Sequence, residues 1–334
     1  MLITVAICTW NQAKLLDMTL TEMAKLAIPN GVEWELLVVN NNCSDETDAV
    51  LERHQKLLPL RRLAEPTPGK TFAANLAVRE ARGELILWTD DDVMVDSNWM
   101  TTYCNAALDF PEAVFFAGTI DPWITQALPA WIKPHFKEMN AVYAVNQHGE
   151  ENRPFAKGDA VIGANMGFRT DVLRRFPFSS RLGSRGDTIL IGEETELWHR
   201  LSHAGYKGMW LGKAKVRHFI RPERLTKAYV ARWYKGIGRS MVLRGYFQEG
   251  KTLLGYSRWA LLQRCKHKLC AGFYLPFHGP RWFHSFRQAA ILGGVLYELR
   301  QHTPLEEAPP SKIVLTDSPA STTRWDHQAV QQRT

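Results

Sequence analysis

Apolar positions in the first part of the chain follow two alternating periods. Short apolar and β-branched runs predict strands at residues 3–8, 34–39 and 84–88. Between these runs, apolar residues recur at helical spacing and predict helices at residues 12–27, 45–56 and 71–81. This alternation favours a parallel sheet that is covered by helices.

Polar residues follow each of the three predicted strands. The first strand leads to Thr9 and Asn11, the second to residues 40–42, and the third to residues 90–92. Right-handed crossovers place the carboxyl ends of parallel strands at one edge of the sheet, where ligands bind. One polar strand end is usually only a turn, whereas three in succession favour a site for a polar ligand.

Three adjacent carboxylates, Asp90, Asp91 and Asp92, form the last of these clusters. Unit charges about 4 Å apart repel by roughly 4 kcal/mol at an effective dielectric constant near 20, so we expect a ligand to offset the repulsion. Carboxylate oxygens suit Mg²⁺ or Mn²⁺, and they also accept hydrogen bonds from ribose hydroxyls. A helix cap at residues 96–98 would explain one acid but not three. A phosphohydrolase would instead carry Asp-x-Asp-x-Thr after its first strand.

The middle of the chain is less regular. Residues 110–160 are rich in Pro and Trp, and they predict an irregular excursion across the sheet. Order is expected to resume at residues 160–168, followed by a short helix at 170–175. A further helix ends near Gly205, and a strand is predicted at residues 213–218.

Basic residues are concentrated after residue 210. Residues 211–300 contain 18 Lys or Arg and 3 acidic residues, with aromatic residues interleaved. Such a segment can face anionic lipid, nucleic acid or a phosphorylated substrate, or it can be a solvated helical face with its aromatic residues in the core. No recognisable nucleic-acid-binding pattern accompanies it, so we do not expect nucleic acid as a partner. From about residue 301 the composition predicts a disordered tail.

The overall composition is that of a soluble globular protein. The chain has 334 residues, of which 45% are hydrophobic and 22% charged. No run of 18 apolar residues predicts a spanning helix, and the N-terminus lacks the pattern of a signal peptide. The five cysteines form no CxxC pair, which indicates a reduced cytoplasmic compartment. Cys265 and Cys270 are interpreted as free thiols rather than metal ligands.

Several segments together resemble family 2 glycosyltransferases of the GT-A fold, in particular the bacterial branch that builds surface polysaccharides. In order, they are VAICTWN, ELLVVNNNCSDET, GKTFAANLAVREARGELILWTDDD, GANMGFRTDVL, GEETELWHRLSHAGY and AKVRHFIRPERLTKAYVARWYKGIG. The resemblance covers about residues 1–245. It implies a Rossmann-like, mainly parallel sheet flanked by helices, with a helical basic C-terminal extension.

The resemblance also implies a division of the chain. Residues 1–245 would form the GT-A domain, with a nucleotide-binding half at about 1–105 and an acceptor and catalytic half at about 106–245. A basic aromatic helical extension would follow at residues 246–300, and the disordered tail would occupy residues 301–334.

Donor-binding roles follow from the resemblance, position by position. The residues are Thr9 and Asn11 in the first nucleotide-binding loop, Asn40 where many members bind uracil through an Asp, Lys70 beside the base or phosphates, Asp91 at the ribose, Asp90 in support, and Gly163 and Asn165 around the donor sugar. Because Asn40 replaces the usual Asp, a preference for uridine is less firmly implied.

The metal ligands implied by the resemblance are Asp92 and His218. Asp92 would bind the Mn²⁺ or Mg²⁺ ion that bridges the diphosphate, and His218 would be an additional ligand. Taken alone, the sequence VRHF would more often contain an ordinary core histidine. The resemblance favours a ligand.

The family places its catalytic base in a Glu-Asp pair that opens a helix. Here the pair is Glu193 and Glu194, with Glu196 following. We expect Glu194 to be the base and Glu193 to be the first alternative, since neighbouring carboxylates raise the pKa of at least one of them. The residues alone equally allow acids that merely favour the helix dipole. Glu194 in place of Asp also lengthens the reach of the base by one methylene.

The predicted function is therefore inverting, metal-assisted transfer of a sugar from a nucleotide-diphosphate sugar, with a UDP-sugar favoured. The acceptor would be a saccharide or a lipid-linked saccharide. A lipid-linked acceptor would account for the basic 211–300 region as a peripheral contact at the inner face of the cell membrane. The alternative is a non-catalytic nucleotide-sugar-binding protein of the same fold.

Overall fold

The computed structural model describes residues 1–156, 158–186, 188–247, 252–253 and 256–301, with only the backbone of residues 252, 253 and 256. The chain divides into two compact units. The first unit comprises Met1–Thr125, Tyr143–Asp187 and Gly192–Ile220, and the second comprises Gln126–Val142, Thr188–Ile191 and Arg221–Thr334. The predicted domain limits near residues 105, 245 and 300 stay predictions. The tail predicted to be disordered lies, beyond residue 301, outside the described residues.

The first unit contains the alternating strands and helices. Its elements are β1 (Leu2–Thr9), α1 (Ala13–Met23), β2 (Glu33–Asn40), α2 (Thr47–His54), β3 (Leu60–Ala64), α3 (Lys70–Glu80), β4 (Leu85–Trp88), β5 (Val93–Val95), α4 (Trp99–Asp109), β6 (Ala113–Trp123), β7 (Asn152–Pro154), β8 (Met166–Arg169), α5 (Thr170–Arg175), α6 (Glu193–His203) and β9 (Lys207–Phe219).

The second unit is mainly helical. Its elements are α7 (Lys227–Leu243), the short strands β10 (Thr252–Leu253) and β11 (Tyr256–Ser257), α8 (Arg258–Tyr274) and α9 (Pro280–Gln301). Short 3₁₀ segments occur at Pro222–Leu225 and Leu275–Phe277, and another, Lys133–Tyr143, runs from this unit into the first. No helix within the described ranges is both long enough and apolar enough to cross a membrane.

One mixed sheet organises the first unit. Among the described residues it has nine strands, in the order β3-β2-β1-β4-β8-β6-β9-β5, with β7 paired to β9. Strands β3, β2, β1 and β4 are mutually parallel, and β8 runs antiparallel between β4 and β6. Thr9 pairs with Asn40, and Ala6 pairs with Trp88. The polar ends of β1, β2 and β4 therefore share one edge of the sheet, as the sequence predicts.

The central strands are buried on both faces because helices cover each side. In β1, the side chains of Ile3, Val5 and Ile7 join one apolar cluster with Leu16 and Leu20 of α1. The intervening Ala6 joins a second cluster with residues of α3. Alternate strand side chains thus point to opposite faces, and both faces are apolar.

The prediction that residues 110–160 form an irregular excursion is wrong for the first part of this segment. Residues 113–123 form β6, which lies inside the sheet between β8 and β9. Its first eight residues, AVFFAGTI, are buried and mostly apolar, and they show no period-two alternation because both faces of the strand are covered. Pro122 is tolerated because it lies one residue from the end of the strand.

Candidate active site

A pocket opens beside the carboxyl ends of β1 and β4, within the first unit. Its walls come from the ends of these strands, the start of α3, the segment before β8 and the start of α6. The lining residues are Cys8, Lys70, Thr71, Ala74, Trp88, Thr89, Asp90, Gly163, Met166, Phe178, Glu193 and Glu194. The sheet edge predicted to bind a polar ligand therefore carries a pocket with charged groups of both signs.

Lys70 is the cation of this pocket, and three carboxylates surround it. Its Nζ atom lies 3.3 Å from Oε1 of Glu194, 3.5 Å from Oδ1 of Asp90 and 3.8 Å from Oε1 of Glu193. Burial opposes the charged form of Lys70, but the three carboxylates outweigh it and raise the pKa of this lysine well above its usual value. Lys70 therefore stays protonated at neutral pH.

Glu193 is the more deeply enclosed member of the acid pair, and it is 6% exposed. Burial raises the pKa of Glu193 to about 8, and the neighbouring Glu194 carboxylate adds to this, while Lys70 acts against it. At neutral pH the pair therefore holds a proton on Glu193. Glu194 is the nearer of the two to the Lys70 ammonium, at 3.3 Å against 3.8 Å for Glu193.

The orientation of α6 about its own axis determines which of its acidic side chains face the pocket. Leu197 and Leu201 are fully buried in the apolar cluster, and they fix one side of the helix against the sheet. Glu193 and Glu194 then line the pocket, whereas Glu196 pairs with Arg200 one turn along the helix at 2.7 Å. Gly192 precedes the helix with φ of 97°, a left-handed conformation that favours glycine.

Gly163 leaves room for the charged pair. A Cβ atom at this position would lie 2.6 Å from Oε1 of Glu194 and 2.8 Å from Nζ of Lys70. Both distances are shorter than van der Waals contact, so any side chain here would displace one of the two charged groups. The predicted pocket residue Gly163 thus lies beside the acid pair and the lysine.

Asn41 holds the loop that carries Lys70. Its side-chain amide donates to the carbonyl oxygens of Glu65 and Thr67, and its Oδ1 atom accepts from the Gly69 backbone N–H at 2.8 Å. The Lys70 backbone N–H also donates to the Ser184 carbonyl oxygen. Asn41 therefore positions the cation of the pocket. The sequence marks it only as a polar residue at a strand end.

The first predicted loop is tied to the acidic cluster and to the loop after β2. The Thr9 hydroxyl donates to Oδ2 of Asp91 at 2.7 Å. Asn11 has φ of 52°, and its Oδ1 atom accepts from the Ser44 backbone N–H. Thr9, Asn11 and Asp91 are thus brought together at the sheet edge, as predicted.

Asn40 makes hydrogen bonds within the protein. Its Nδ2 group donates to Oδ1 of Asp48 at 2.7 Å, and its Oδ1 atom accepts from the Cys43 backbone N–H at 2.8 Å. The residue is buried. These bonds shape the turn after β2, and the role of Asn40 toward a nucleotide base stays a prediction.

Asp92 and His218 form a buried pair where β5 lies against β9. Nε2 of His218 lies 3.3 Å from Oδ1 of Asp92, and Nδ1 of His218 lies 2.9 Å from the Tyr143 carbonyl oxygen. A carbonyl oxygen can only accept, so Nδ1 carries a hydrogen, and Nε2 is the ring nitrogen that faces the carboxylate. This arrangement suits a cation between the two groups, because metal-binding histidines commonly donate their other N–H to a carbonyl.

The donor set for a metal is small. Within the described part of the chain, no group of three or more His, Cys, Asp or Glu side chains is arranged to hold a metal ion. Asp92 supplies a carboxylate, which suits Mn²⁺ or Mg²⁺, and His218 supplies an imidazole, which suits a transition metal such as Mn²⁺ better than Mg²⁺. Such ions commonly complete their coordination with water and substrate phosphates.

Asn165 lies in the core, where all four of its hydrogen-bonding positions are used. Its Oδ1 atom accepts from Nε1 of Trp99 and from the Tyr103 hydroxyl, both at 2.8 Å. Its Nδ2 group donates to the carbonyl oxygens of Thr119 and Ala214. The structure therefore places Asn165 behind Gly163 as a tie between α4, β6 and β9, and its role near the donor sugar stays a prediction.

Seven lining residues are not predicted from the sequence to belong to the site: Cys8, Thr71, Ala74, Trp88, Thr89, Met166 and Phe178. Burial raises the pKa of the Cys8 thiol to about 12, so this group is neutral in the pocket. Trp88 and Phe178 meet edge to face, with ring centroids 5.7 Å apart. Their positions could have been inferred only from the pairing of β4 with β8 and from the loop that follows α5.

Comparisons with known proteins show which family the sequence matches. The sequence profile described as Glycosyl transferase family 2 matches residues 4–176. Succinoglycan biosynthesis protein ExoM of Rhizobium meliloti (strain 1021) is 21% identical over 229 residues, which cover 64% of this chain and 72% of ExoM. Glucosyl-dolichyl phosphate glucuronosyltransferase of Haloferax volcanii is 21% identical over 238 residues, which cover 65% of this chain and 69% of the relative.

A solved structure is similar over most of the chain. It is mannosyltransferase PcManGT from Pyrobaculum calidifontis in complex with GDP-Man and Mn²⁺, with a TM-score of 0.60 and 16% sequence identity. The match covers 89% of this chain and 86% of the mannosyltransferase. At this identity the likeness shows the fold, and it confirms the predicted GT-A fold.

Proposed function

The chain belongs to glycosyl transferase family 2, and we propose that it transfers a sugar from a nucleotide-diphosphate sugar to a hydroxyl group of an acceptor, with inversion at the anomeric carbon. The observation that carries the proposal is the pocket in which Lys70, Asp90, Glu193 and Glu194 meet at the sheet edge. The pocket combines a cation that can bind a leaving phosphate with a carboxylate that can accept a proton.

The donor would lie along the carboxyl edge of β1, β2 and β4. Asp91, which the Thr9 hydroxyl orients, would accept hydrogen bonds from the ribose hydroxyls. The loops at Asn11 and Asn40 would contact the base, and Gly163 would border the donor sugar. We propose a UDP-sugar as the first candidate donor and a GDP-sugar as the second, since the mannosyltransferase of similar fold was solved with GDP-Man.

Asp92 and His218 would hold a Mn²⁺ or Mg²⁺ ion at the diphosphate. Their close approach at 3.3 Å, and the hydrogen bond that fixes the His218 ring, support this assignment. When bound, such an ion stabilises the negative charge that develops on the departing diphosphate. Lys70 would add a second positive charge, because its high pKa keeps it protonated.

Glu194 would act as the general base. The acceptor hydroxyl oxygen forms a bond to the anomeric carbon while the bond from that carbon to the diphosphate oxygen breaks. The bonding electrons leave with the nucleoside diphosphate, and the hydroxyl proton passes to Glu194. Burial raises the pKa of Glu193 to about 8, so Glu193 would be protonated at neutral pH. A protonated carboxyl cannot accept the hydroxyl proton, and Glu193 would instead lower the negative charge of the pair.

The acceptor would be a saccharide, either free or carried on a lipid. Two relatives support this class: ExoM is a succinoglycan biosynthesis protein, and the Haloferax volcanii relative is a transferase named for glucosyl-dolichyl phosphate. A lipid-linked acceptor would place the reaction at the inner face of the cell membrane. The basic 211–300 region would then be the peripheral contact.

A panel of UDP- and GDP-sugars, each with and without Mn²⁺ or Mg²⁺, tests the proposed donor class by thermal shift. A ligand that binds only the folded protein raises its melting temperature. We expect at least one donor to stabilise the protein, and to do so more strongly with the cation. No stabilisation by any donor would contradict the proposal. Donor binding without sugar transfer to any saccharide acceptor would instead favour a non-catalytic binding protein.

A further inference from the structure

Helix α8 exposes a row of large apolar side chains. Leu262, Leu269 and Phe273 are 57%, 76% and 74% exposed, and Phe277, just after the helix, is 76% exposed. Trp259 in the first turn is also exposed. Single exposed apolar residues are ordinary on protein surfaces, but several large ones along one helix indicate an interaction site.

The row occupies one side of the helix. Positions 262, 266, 269 and 273 are separated by four, three and four residues, which places them on a single face. Another face buries Ala260 against Leu292, Val295 and Leu296 of α9. The exposed row is therefore separate from the face that α8 uses for its own packing within the second unit.

Charge indicates what the row contacts. Helix α8 contains Arg258, Arg264, Lys266 and Lys268, and it contains no Asp or Glu. Arg258, Lys266 and Lys268 are exposed, and Lys266 lies within the apolar row itself. Long basic side chains on an apolar face can extend their charged ends to phosphate while their methylene groups stay among apolar groups. Exposed Trp, Leu and Phe with cationic neighbours are typical of helices that lie in the interface of an anionic bilayer.

We propose that α8 lies on an anionic lipid bilayer through a lipid face formed by Trp259, Leu262, Leu269, Phe273 and Phe277, with Lys266 within this face and Arg258 at its border contacting lipid phosphates. This inference narrows the membrane contact proposed above to one helix. It does not depend on glycosyl transfer, because the face belongs to α8 alone and its test measures lipid binding. A second copy of the chain could cover the same face, but two copies would bring the same cations together and repel each other.

Vesicle flotation of the full-length protein tests the proposal. We expect binding to vesicles of phosphatidylcholine with phosphatidylglycerol, weak binding to phosphatidylcholine alone, and weaker binding at high salt. In the variant L269E/F273E we expect vesicle partitioning to fall by about tenfold or more. The matched control is L57E/L108E, which makes the same kind of change at two other exposed leucines, and it should bind as the wild type does.

Three other outcomes would each contradict the proposed contact of α8 with lipid, and each points to a different explanation. Absence of wild-type binding to the anionic vesicles would remove both α8 docking and the membrane contact. Equal binding of L269E/F273E and wild type would leave a membrane contact but assign it to another surface. A dimer of the wild type that L269E/F273E converts to a monomer, without lipid binding, would identify a second copy as the occupant. Donor-dependent thermal shift in the same variant should match the wild type, so a failure of the proposed reaction would be detected separately.

Discussion

Nζ of Lys70 lies 3.3 Å from Oε1 of Glu194, which joins the proposed phosphate-binding cation to the proposed base. Gly163 borders both groups, and Asn41 fixes the loop that brings Lys70 to this position. A diphosphate that binds Lys70 would compete for its positive charge and would free the Glu194 carboxylate to accept a proton. Donor binding and activation of the base would then be linked through one ion pair.

The first prediction concerns the space at Gly163. The variant Gly163→Ala should lower the rate of transfer by about 100-fold, because a displacement of about 1 Å in a catalytic group can have that effect. The added Cβ atom would lie 2.6 Å from the Glu194 carboxylate and 2.8 Å from the Lys70 ammonium. Initial rates with a saturating donor give the measurement.

Gly279→Ala is the matched control, since a Cβ atom there meets no other atom within 4 Å. It should keep the wild-type rate. Both variants should melt within a few degrees of the wild type, because the groups that Gly163→Ala displaces are the ends of flexible side chains. An unchanged rate in Gly163→Ala would show that the Lys70–Glu194 geometry is not needed.

The second prediction concerns pH and Glu193. The pKa of this carboxyl is raised from 4.5 to about 8 in the folded protein. Between these two values the folded state holds a proton that the unfolded state has lost, so the stabilising contribution is complete below pH 4.5 and is lost as pH rises through about 8. Glu193→Gln removes this dependence, because the amide does not titrate.

As pH rises between these two values, the free energy of unfolding of the wild type should therefore fall relative to that of Glu193→Gln. The difference should grow by up to about 1.4 kcal/mol for each pH unit. Urea unfolding at a series of pH values measures the difference. Glu196→Gln, on the same helix but paired with Arg200, should give a much flatter difference. A difference for Glu193→Gln that does not change with pH would contradict the assignment.

The third prediction concerns Asn165 and stability. Asn165→Ala would leave the Trp99 N–H, the Tyr103 hydroxyl and two backbone carbonyls without their present partner in a fully buried position. We expect a loss of at least about 3 kcal/mol in the free energy of unfolding, since each buried unsatisfied group costs about 1–3 kcal/mol. Denaturant unfolding measures this loss, and the exposed Asn152→Ala is the control. A loss below about 1 kcal/mol would refute the structural role.

The fourth prediction concerns the cation. His218→Ala should raise the Mn²⁺ concentration needed for half-saturation by at least about tenfold, a loss that is seen even for residues behind the metal ligands. Isothermal titration of Mn²⁺ in the presence of UDP measures binding directly, without reliance on activity. His203→Ala, at an exposed position at the end of α6, should behave as the wild type does. Equal Mn²⁺ affinity in His218→Ala and the wild type would remove His218 from the metal site.

The sequence could predict the sheet edge because that inference needs only local information. The ends of β1, β2 and β4 follow from short apolar runs, and the handedness of crossovers brings Thr9, Asn40 and Asp90 to one edge. The acid pair at Glu193 and Glu194 is likewise visible as the start of an amphipathic helix.

Contacts between distant segments could not be predicted in the same way. Asn165 is bonded to groups from residues 99, 103, 119 and 214, and nothing in the local sequence separates such a residue from one that faces a ligand. The sequence does not predict β6 because its apolar run leads into Pro122 and Trp123, and Pro and Trp content is what indicates an irregular segment over residues 110–160. The exclusion of Glu196 from the pocket depends on the burial of Leu197 and Leu201, which only the packed helix reveals.

The central claim is that Glu194 takes a proton from an acceptor during sugar transfer. The most direct measurement compares Glu194→Gln with the wild type, with a donor that stabilises the protein and a saccharide acceptor, following nucleoside diphosphate release and the mass of the product. We expect Glu194→Gln to retain the donor-dependent thermal shift and to lose about 10²- to 10⁴-fold in rate, while Glu196→Gln retains both. A rate in Glu194→Gln within about twofold of the wild type, far above what loss of a general base allows, would contradict the claim.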